Sequence, residues 1–438
     1  MGSFASSIAK KVVRHRAVSG RLWPLPQLAA RATYELFPDT CRVARPLTLL
    51  ALSADRFLDD LQALADTGEV RILAFPEYWQ FAPPSWFPGA YFALGAERQN
   101  FLQQFLESYL ALIGADCVVG TSFWYRQDVP WGAAAQAVGR PYFVFHKESY
   151  KATPSQQETT IARARVVGRF SGAHVIVHNE TIRQVLLRSD FVSPDQISAC
   201  GALRMDGLVT RATAKNPVLA GPPCATLFSF THGVGLDELG YGQWPKNPYV
   251  GWVRLFEQTH AAFARFAQAH PQLECVIKAK WRGQWFAAIE QALKANGMEL
   301  AAIPNLRVVD DENPHALMAR SRVVCGYNST TLLESGILGM PVIVPYFAEA
   351  ADPRYTFGNK LPEASDAFDV AESPEALTAL LAERLENPAV NPVQMRRRRE
   401  LFERWISPLD GPATPRYLSL LRSLVARGEK IHASREAA

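Results

Sequence analysis

The sequence predicts an α/β protein built as two doubly wound halves, each a mainly parallel sheet with helices on both faces. Three observations predict it. From about residue 46 onward, short β-branched apolar runs alternate with amphipathic segments of helical spacing. The alternation is interrupted by the Pro- and Gly-containing stretch 214–223 (AKNPVLAGPP) and then resumes. Finally, 438 residues with 48% hydrophobic and 20% charged side chains are enough for a core in each of two domains.

In chain order, strands are expected at 47–52, 70–75, 117–121, 142–145 and 175–178, with helices at 54–65 and 99–113 between them. After the break, strands are expected at 226–230, 274–277, 306–309, 323–325 and 342–344. Helices at 253–269, 285–295, 314–319, 331–338 and 375–385 separate them. The resulting scheme is a basic segment 1–45, a first domain 46–213, a linker 214–223, a second domain 224–400, and closing helices and tail 401–438. Two Rossmann-like halves facing one another across a cleft is the simplest architecture, and ligands are then expected at the carboxyl ends of the strands.

A net charge of +4 does not mark a nucleic-acid binder. Its distribution is uneven: residues 1–46 carry eight Lys/Arg against Glu35 and Asp39, and Arg396–Arg399 form a second cluster. Such segments suit peripheral contact with an anionic membrane surface, or are simply solvated helix faces. The six cysteines (Cys41, Cys117, Cys200, Cys224, Cys275, Cys325) include no Cys-x-x-Cys pair, and four lie in or beside expected strands. They read as buried small hydrophobes in a reducing compartment. No apolar run has transmembrane length and no secretory signal is legible, so a cytoplasmic protein is expected. Met1-Gly2-Ser3 with Ser6 fits a myristoylation pattern, one short enough to arise by chance.

The stretch 308–347 is the most informative. Asn313-Pro314 is a helix start, an N-cap followed by proline at the first helical position. After an expected strand at 323–325 comes Gly326-Tyr327-Asn328-Ser329-Thr330-Thr331, a hydroxyl-rich turn opening into a helix. Unpaired N–H groups and the helix dipole favour an anion there, so Asn328, Ser329, Thr330 and Thr331 are candidate phosphate binders. The alternative is a capped helix start with no ligand. Glu334, one turn on, is placed to bond a ribose or sugar hydroxyl. Gly336 and Gly339 permit close approach, and Gly339-Met340-Pro341 ends the helix.

This stretch resembles the nucleotide-sugar-binding half of GT-B glycosyltransferases, specifically bacterial capsule and surface-carbohydrate enzymes. That group includes transferases of the keto-sugar acid Kdo from its CMP donor and, more distantly, polyol-phosphate transferases. His178-Asn179-Glu180 and Gly201-Ala202-Leu203-Arg204-Met205-Asp206 resemble the end of that family's first domain. The segment 401–416, with Pro408-Leu409-Asp410-Gly411, resembles its closing helices, so the likeness runs in order over roughly 110–425. Two departures matter. Many retaining members carry a glutamate eight residues before the position of Glu334, and here that residue is Gly326, which disfavours the retaining subtype. Capsule members often show His-Pro after the second strand of the donor domain, where this chain reads Val276-Ile277-Lys278-Ala279-Lys280-Trp281-Arg282. Lys278, Lys280 and Arg282 at alternate positions are expected to share one face of an extended segment and keep the positive charge.

Further candidates follow from position. Thr231-His232-Gly233-Val234-Gly235 follows the first strand of the second half, so His232 could donate to a phosphate and Gly233 let the backbone approach it, or the segment is a plain turn. Glu148, in His146-Lys147-Glu148-Ser149-Tyr150 after a buried strand, is the first choice for base or stabilising carboxylate, and Glu77 the second. Residues 75–92 hold eight aromatics among four prolines, suited to sugar stacking, lipid docking or an ordinary packed lid. His174 and His178 have no third ligand nearby and are expected in the core, and Asp310-Asp311-Glu312 is not a convincing metal motif.

The resemblance therefore implies a metal-independent, cofactor-free transferase. Its substrates would be a nucleotide-sugar donor, such as the CMP-keto-sugar acid CMP-Kdo, and a surface glycan or glycolipid acceptor. Competing readings are a nucleotide-sugar 2-epimerase on the same frame, a polyol-phosphate transferase, and a non-catalytic scaffold of glycan assembly.

Overall fold

The structure, a computed structural model, describes residues 22–81, 95–125, 127–213, 222–236, 242–358 and 366–436. Residues 1–21 of the basic N-terminal segment, 214–221 of the expected linker and 82–92 of the aromatic stretch lie outside them. The chain divides into two compact units: residues 1–149, 157–207 and 410–438, and residues 150–156 with 208–409.

Unit 1 begins with α1 (Leu25–Ala32), β1 (Tyr34–Glu35), β2 (Leu47–Ala51), α2 (Leu58–Ala65), β3 (Val70–Ala74) and α3 (Glu77–Phe81). It continues through α4 (Ala96–Ile113), β4 (Cys117–Gly120), α5 (Val129–Ala137) and β5 (Tyr142–His146). Then come α6 (Pro154–Val167), of which residues 154–156 count with unit 2, β6 (His174–Val177), α7 (Glu180–Arg188) and β7 (Ile197–Ala199), and α8 (Asp206–Thr213) leads from unit 1 into unit 2. The sheet order is β1-β3-β2-β4-β5-β6-β7, parallel throughout except for the antiparallel edge strand β1. All residues of β4, β5 and β6 are buried, as a sheet covered on both faces requires.

Unit 2 follows with β8 (Cys224–Phe228), α9 (Val253–Ala269), β9 (Glu274–Lys278), α10 (Gln284–Ala295), β10 (Leu306–Val309), α11 (Pro314–Arg320) and β11 (Ser321–Gly326). It ends with α12 (Thr330–Gly336), β12 (Val342–Pro345), β13 (Asp369–Ala371), α13 (Pro374–Glu386) and α14 (Pro392–Trp405). All strands are parallel, in the order β10-β9-β8-β11-β12-β13. Numbered from β8, that is 3-2-1-4-5-6, the Rossmann order. The last helix, α15 (Thr414–Glu436), belongs to unit 1.

Both halves are thus doubly wound α/β, as the alternation predicts. The helix expected over 54–65 is broken: Ser53 takes a left-handed backbone (φ 47°), Ala54–Arg56 form a single 3-10 turn, and α2 starts only at Leu58. Helix starts carry the side-chain caps that residue type predicts, with Asn179, Asn313, Ser329, Ser373 and Asn391 each accepting an N–H of the first turn.

The clustered arginines at 396–399 do not form one basic face. Arg398 is fully buried, donating to the carbonyls of Ala367 (2.7 Å) and Met340 (2.7 Å), while Arg397 pairs with Asp366 and Glu400. Helical periodicity explains this, since four consecutive residues point around the whole helix. The buried arginine also accounts for Gly336: a Cβ there would lie 3.1 Å from Phe368 and 3.3 Å from the Arg398 stem. The approach that Gly336 permits is therefore made by the protein's own side chains. Arg398→Met should leave two buried carbonyls without donors and destabilise the chain by ~2–4 kcal/mol, read as a lower urea midpoint.

In unit 1, α15 covers one face of the sheet. Tyr417 packs edge-on against Phe145 (5.1 Å) and donates to the Gly201 carbonyl (3.1 Å). The Asp206 carboxylate accepts the N–H groups of Ala413 (2.6 Å) and Thr414 (2.8 Å), where that helix begins.

Candidate functional site

In an open parallel sheet, a crevice opens where the strand order reverses, because the connections on either side leave in opposite directions. Unit 2 reverses between β8 and β11, whose last paired residues are Phe228 and Gly326. The segments emerging there are Ser229–Gly233 and Tyr327–Thr331. Two of the groups predicted separately from sequence are thereby brought to one end of one sheet.

Asn328 has a left-handed backbone (φ 51°), turning the chain into α12. Ser329 caps that helix: its Oγ accepts the Thr331 N–H (3.3 Å) and the Thr331 hydroxyl (2.8 Å). Ser329, Thr330 and Thr331 are half-buried. Glu334 is buried and its Oε2 lies 3.2 Å from His315 Nε2, so a histidine from α11 orients it. His232 is half-buried and edge-on to Trp244 (4.9 Å), and its Nε2 has no hydrogen-bond partner among the described residues. Burial lowers its pKa and favours the neutral ring.

Two expectations need correction. Gly233 does not keep its backbone open for a ligand. Its N–H donates to the Gln243 carbonyl (3.2 Å), and a Cβ there would lie 2.4 Å from that oxygen. The glycine is required by close passage of the chain at 242–243. Nor do the three cations form a strip, because β9 ends at Lys278 and the alternation of an extended chain ends with it. Lys278 Nζ turns to the carbonyls of Ala279 (2.8 Å) and Asp310 (2.9 Å), and burial lowers its pKa. Lys280 is exposed over the Trp281 ring, and exposed Arg282 pairs with Asp310 (2.7 Å).

Unit 1 has a reversal of its own, between β2 and β4. Glu148 follows β5, and its Oε1 accepts the Tyr125 hydroxyl (2.9 Å). Arg56 lies over the Tyr125 ring (5.0 Å), and Lys147 Nζ donates to the Arg56 carbonyl (2.7 Å). Burial, reinforced by the Glu148 charge, pushes the Tyr125 phenol up to about 12, so it remains a donor to that carboxylate. Glu77 heads α3 and is exposed, while Trp79 and Gln80 of the same helix are buried.

Beyond β2 and β4 lies a buried polar cluster that the sequence reading missed. Ser53 Oγ donates to Asp128 Oδ1 (2.7 Å), Gln80 Nε2 donates to the same oxygen (2.5 Å), and the Ser53 N–H donates to Gln80 Oε1 (3.0 Å). This network offsets the left-handed backbone of Ser53, which costs a non-glycine residue roughly 1–2 kcal/mol. Thr121, Ser122 and Asp128 are each 0% exposed. Asp128 Oδ2 and the hydroxyls of Thr121 and Ser122 have no hydrogen-bond partner among the described residues. Asp128-Val129-Pro130 has the pattern of a helix cap, yet the Asp128 side chain makes no cap hydrogen bond.

Among the described residues, no group of three His, Cys, Asp or Glu side chains is placed to hold a metal, and no helix is long and apolar enough to cross a membrane. His174 bonds Ser198 (2.9 Å) and His178 lies beyond the opposite end of β6. No family model matches the chain, and neither does any curated protein. Among solved structures, the chain is similar to UDP-GlcNAc 2-epimerase from Neisseria meningitidis bound to UDP-GlcNAc (13% identity, 86% of this chain, 99% of that one, TM-score 0.49). It is also similar to a glycosyltransferase from Rickettsia africae (10%, 87% and 99%, 0.45) and to HepE of Anabaena in complex with UDP-glucose (13%, 86% and 99%, 0.45). The fold assignment itself rests on the strand order and pairing given above.

Burial pushes the Asp128 carboxyl up from 3.8 to about 7, against the hydrogen bonds of Ser53 and Gln80 and the charge of Arg56. The folded chain thus holds a proton that the unfolded chain releases near pH 4. Stability falls as pH rises from about 4 to about 7, and the loss is complete above that window. Buried His174, pushed down to about 4, acts in the opposite sense but equally in parent and variant. The melting-temperature difference, Asp128→Asn minus parent, should therefore grow steadily across that window.

Proposed function

We propose that the chain is a GT-B-type glycosyltransferase that moves a sugar from a nucleotide-activated donor to a hydroxyl of a surface glycan or glycolipid. The observation that supports this reading best is the convergence at the unit 2 reversal. A neutral histidine after β8 and a hydroxyl-rich helix start after β11 stand at the two strand ends where such sheets bind nucleotides. Asn328, Ser329, Thr330 and Thr331 take the donor phosphate, with His232 as an uncharged donor. Glu334, oriented by His315, accepts from a ribose or sugar hydroxyl. Lys280 and Arg282 are the exposed cations for a further phosphate or for the carboxylate of a CMP-activated keto-sugar acid, with Lys278 behind them holding the turn.

Glu148 removes the proton of the acceptor hydroxyl as its oxygen bonds to the anomeric carbon. The bond from that carbon to the donor phosphate breaks, and the departing phosphate is stabilised by fixed dipoles and hydroxyls. No metal or cofactor enters this scheme. The second reading is a 2-epimerase on the same frame, in which half-buried Glu148 would serve as one acid–base carboxyl. An epimerised donor appearing without acceptor would select it.

A melting-temperature screen with cytidine, uridine, guanosine and thymidine nucleotides should single out one base, since a ligand stabilises the folded state in proportion to its affinity. Ser329→Ala with Thr330→Ala should weaken that nucleotide by ~1–3 kcal/mol in calorimetry, and unchanged affinity would move the donor site elsewhere. Glu148→Gln should lower single-turnover rates ~100-fold or more with donor affinity nearly unchanged, whereas parental rates would remove Glu148 from the chemistry.

A further inference from the structure

The cluster around Asp128 is too costly to be incidental. Three polar side chains with no exposure gather beyond the ends of β2 and β4, and each has an oxygen without a hydrogen-bond partner among the described residues. What the cluster holds is specific. Asp128 Oδ1 fixes both Ser53 Oγ and Gln80 Nε2, and Gln80 in turn fixes the Ser53 N–H. Ser53 starts the turn that displays Arg56, which lies over Tyr125, which bonds Glu148. The Asp128 N–H also donates to the Tyr125 carbonyl (2.9 Å), so the same residue reaches the Glu148 array from both sides.

We propose that Asp128 is a positioning residue, holding the Ser53–Arg56 turn and Tyr125 so that Tyr125 and Arg56 set the place of the Glu148 carboxylate. Its importance to turnover rests on the reading of Glu148 given above, but its hold on the turn does not. Asp128 is sealed from solvent and acts through other residues, without touching a substrate. The charged and titratable groups whose fields reach it are Arg56 from the turn and Tyr142 from β5, the latter also buried. The hold requires an acceptor at the Oδ1 position, which asparagine also supplies.

Hydrogen exchange of the intact chain, resolved at residues 53–57, tests this in Asp128→Ala and Asp128→Asn. The alanine variant should speed exchange at Ser53–Phe57 at least tenfold, and the asparagine variant should stay within about twofold of the parent. The phenol of Tyr125, identified by difference from Tyr125→Phe, should titrate closer to its ordinary 10 in the alanine variant. If Asp128→Ala does not fold, Ser53→Ala removes the same bond from its other end and should speed exchange at residues 54–57. Unchanged exchange in the alanine variants overturns the proposal, as does acceleration spread evenly over unit 1 in both Asp128 variants. The reading of Glu148 is judged separately, by Glu148→Gln turnover. Local loosening in Asp128→Ala alongside full activity of Glu148→Gln would leave the hold intact while removing Glu148 from the chemistry.

Discussion

A parallel sheet covered on both faces admits a polar side chain along its strands only where a neighbour satisfies it, as Ser198 does for His174 and Ser321 for Thr226, and this constraint organises both halves of the protein. β4, β5 and β6 in one sheet, and β8 in the other, are buried along their whole length. Polar chemistry is thereby displaced to the carboxyl ends. Because right-handed crossovers fix which way each connection leaves, those ends part where the order reverses. Each sheet reverses at a single place, β2 against β4 and β8 against β11, and the unusual polar groups of each half collect there.

A second regularity concerns charge. Near the strand ends, burial favours the neutral form of His232, Asp128 and His178. Other charges are paired, as in the linked set Arg307, Glu274, Arg320 and Glu312. Neutral donors and acceptors keep their direction without an ion's hydration cost, which suits groups that must orient a ligand.

The fold was legible in the sequence because its central strands are apolar runs of four to six residues separated by helices with one apolar face. β1, β7 and β13, with two or three residues each, are too short to show a period, and α5 (VPWGAAAQA) has little contrast between faces. The hydroxyl-rich start at Ser329 was legible because helix capping is local chemistry. The His315–Glu334 pair, nineteen residues apart, and the Asp128–Ser53 bond, seventy-five apart, were not, since both depend on which strands become neighbours. Nothing in the sequence marks Asp128, since Asp128-Val129-Pro130 has the pattern of an ordinary helix start. The cationic strip failed because an extended segment was assumed beyond the point where the strand ends.

The return of α15 to unit 1 has a consequence for synthesis on the ribosome. Leu61, Phe143, Phe145 and Ile176 share a core with Ala413, Tyr417 and Leu421, which are made only after residues 208–409. While residues 208–409 emerge and can close their own sheet, the first sheet waits with one apolar face uncovered. The nascent chain is thus most vulnerable to aggregation while residues 208–409 are being made. The Asp206 carboxylate, already in place where unit 2 begins, becomes the anchorage at which the arriving helix docks and ends that exposure.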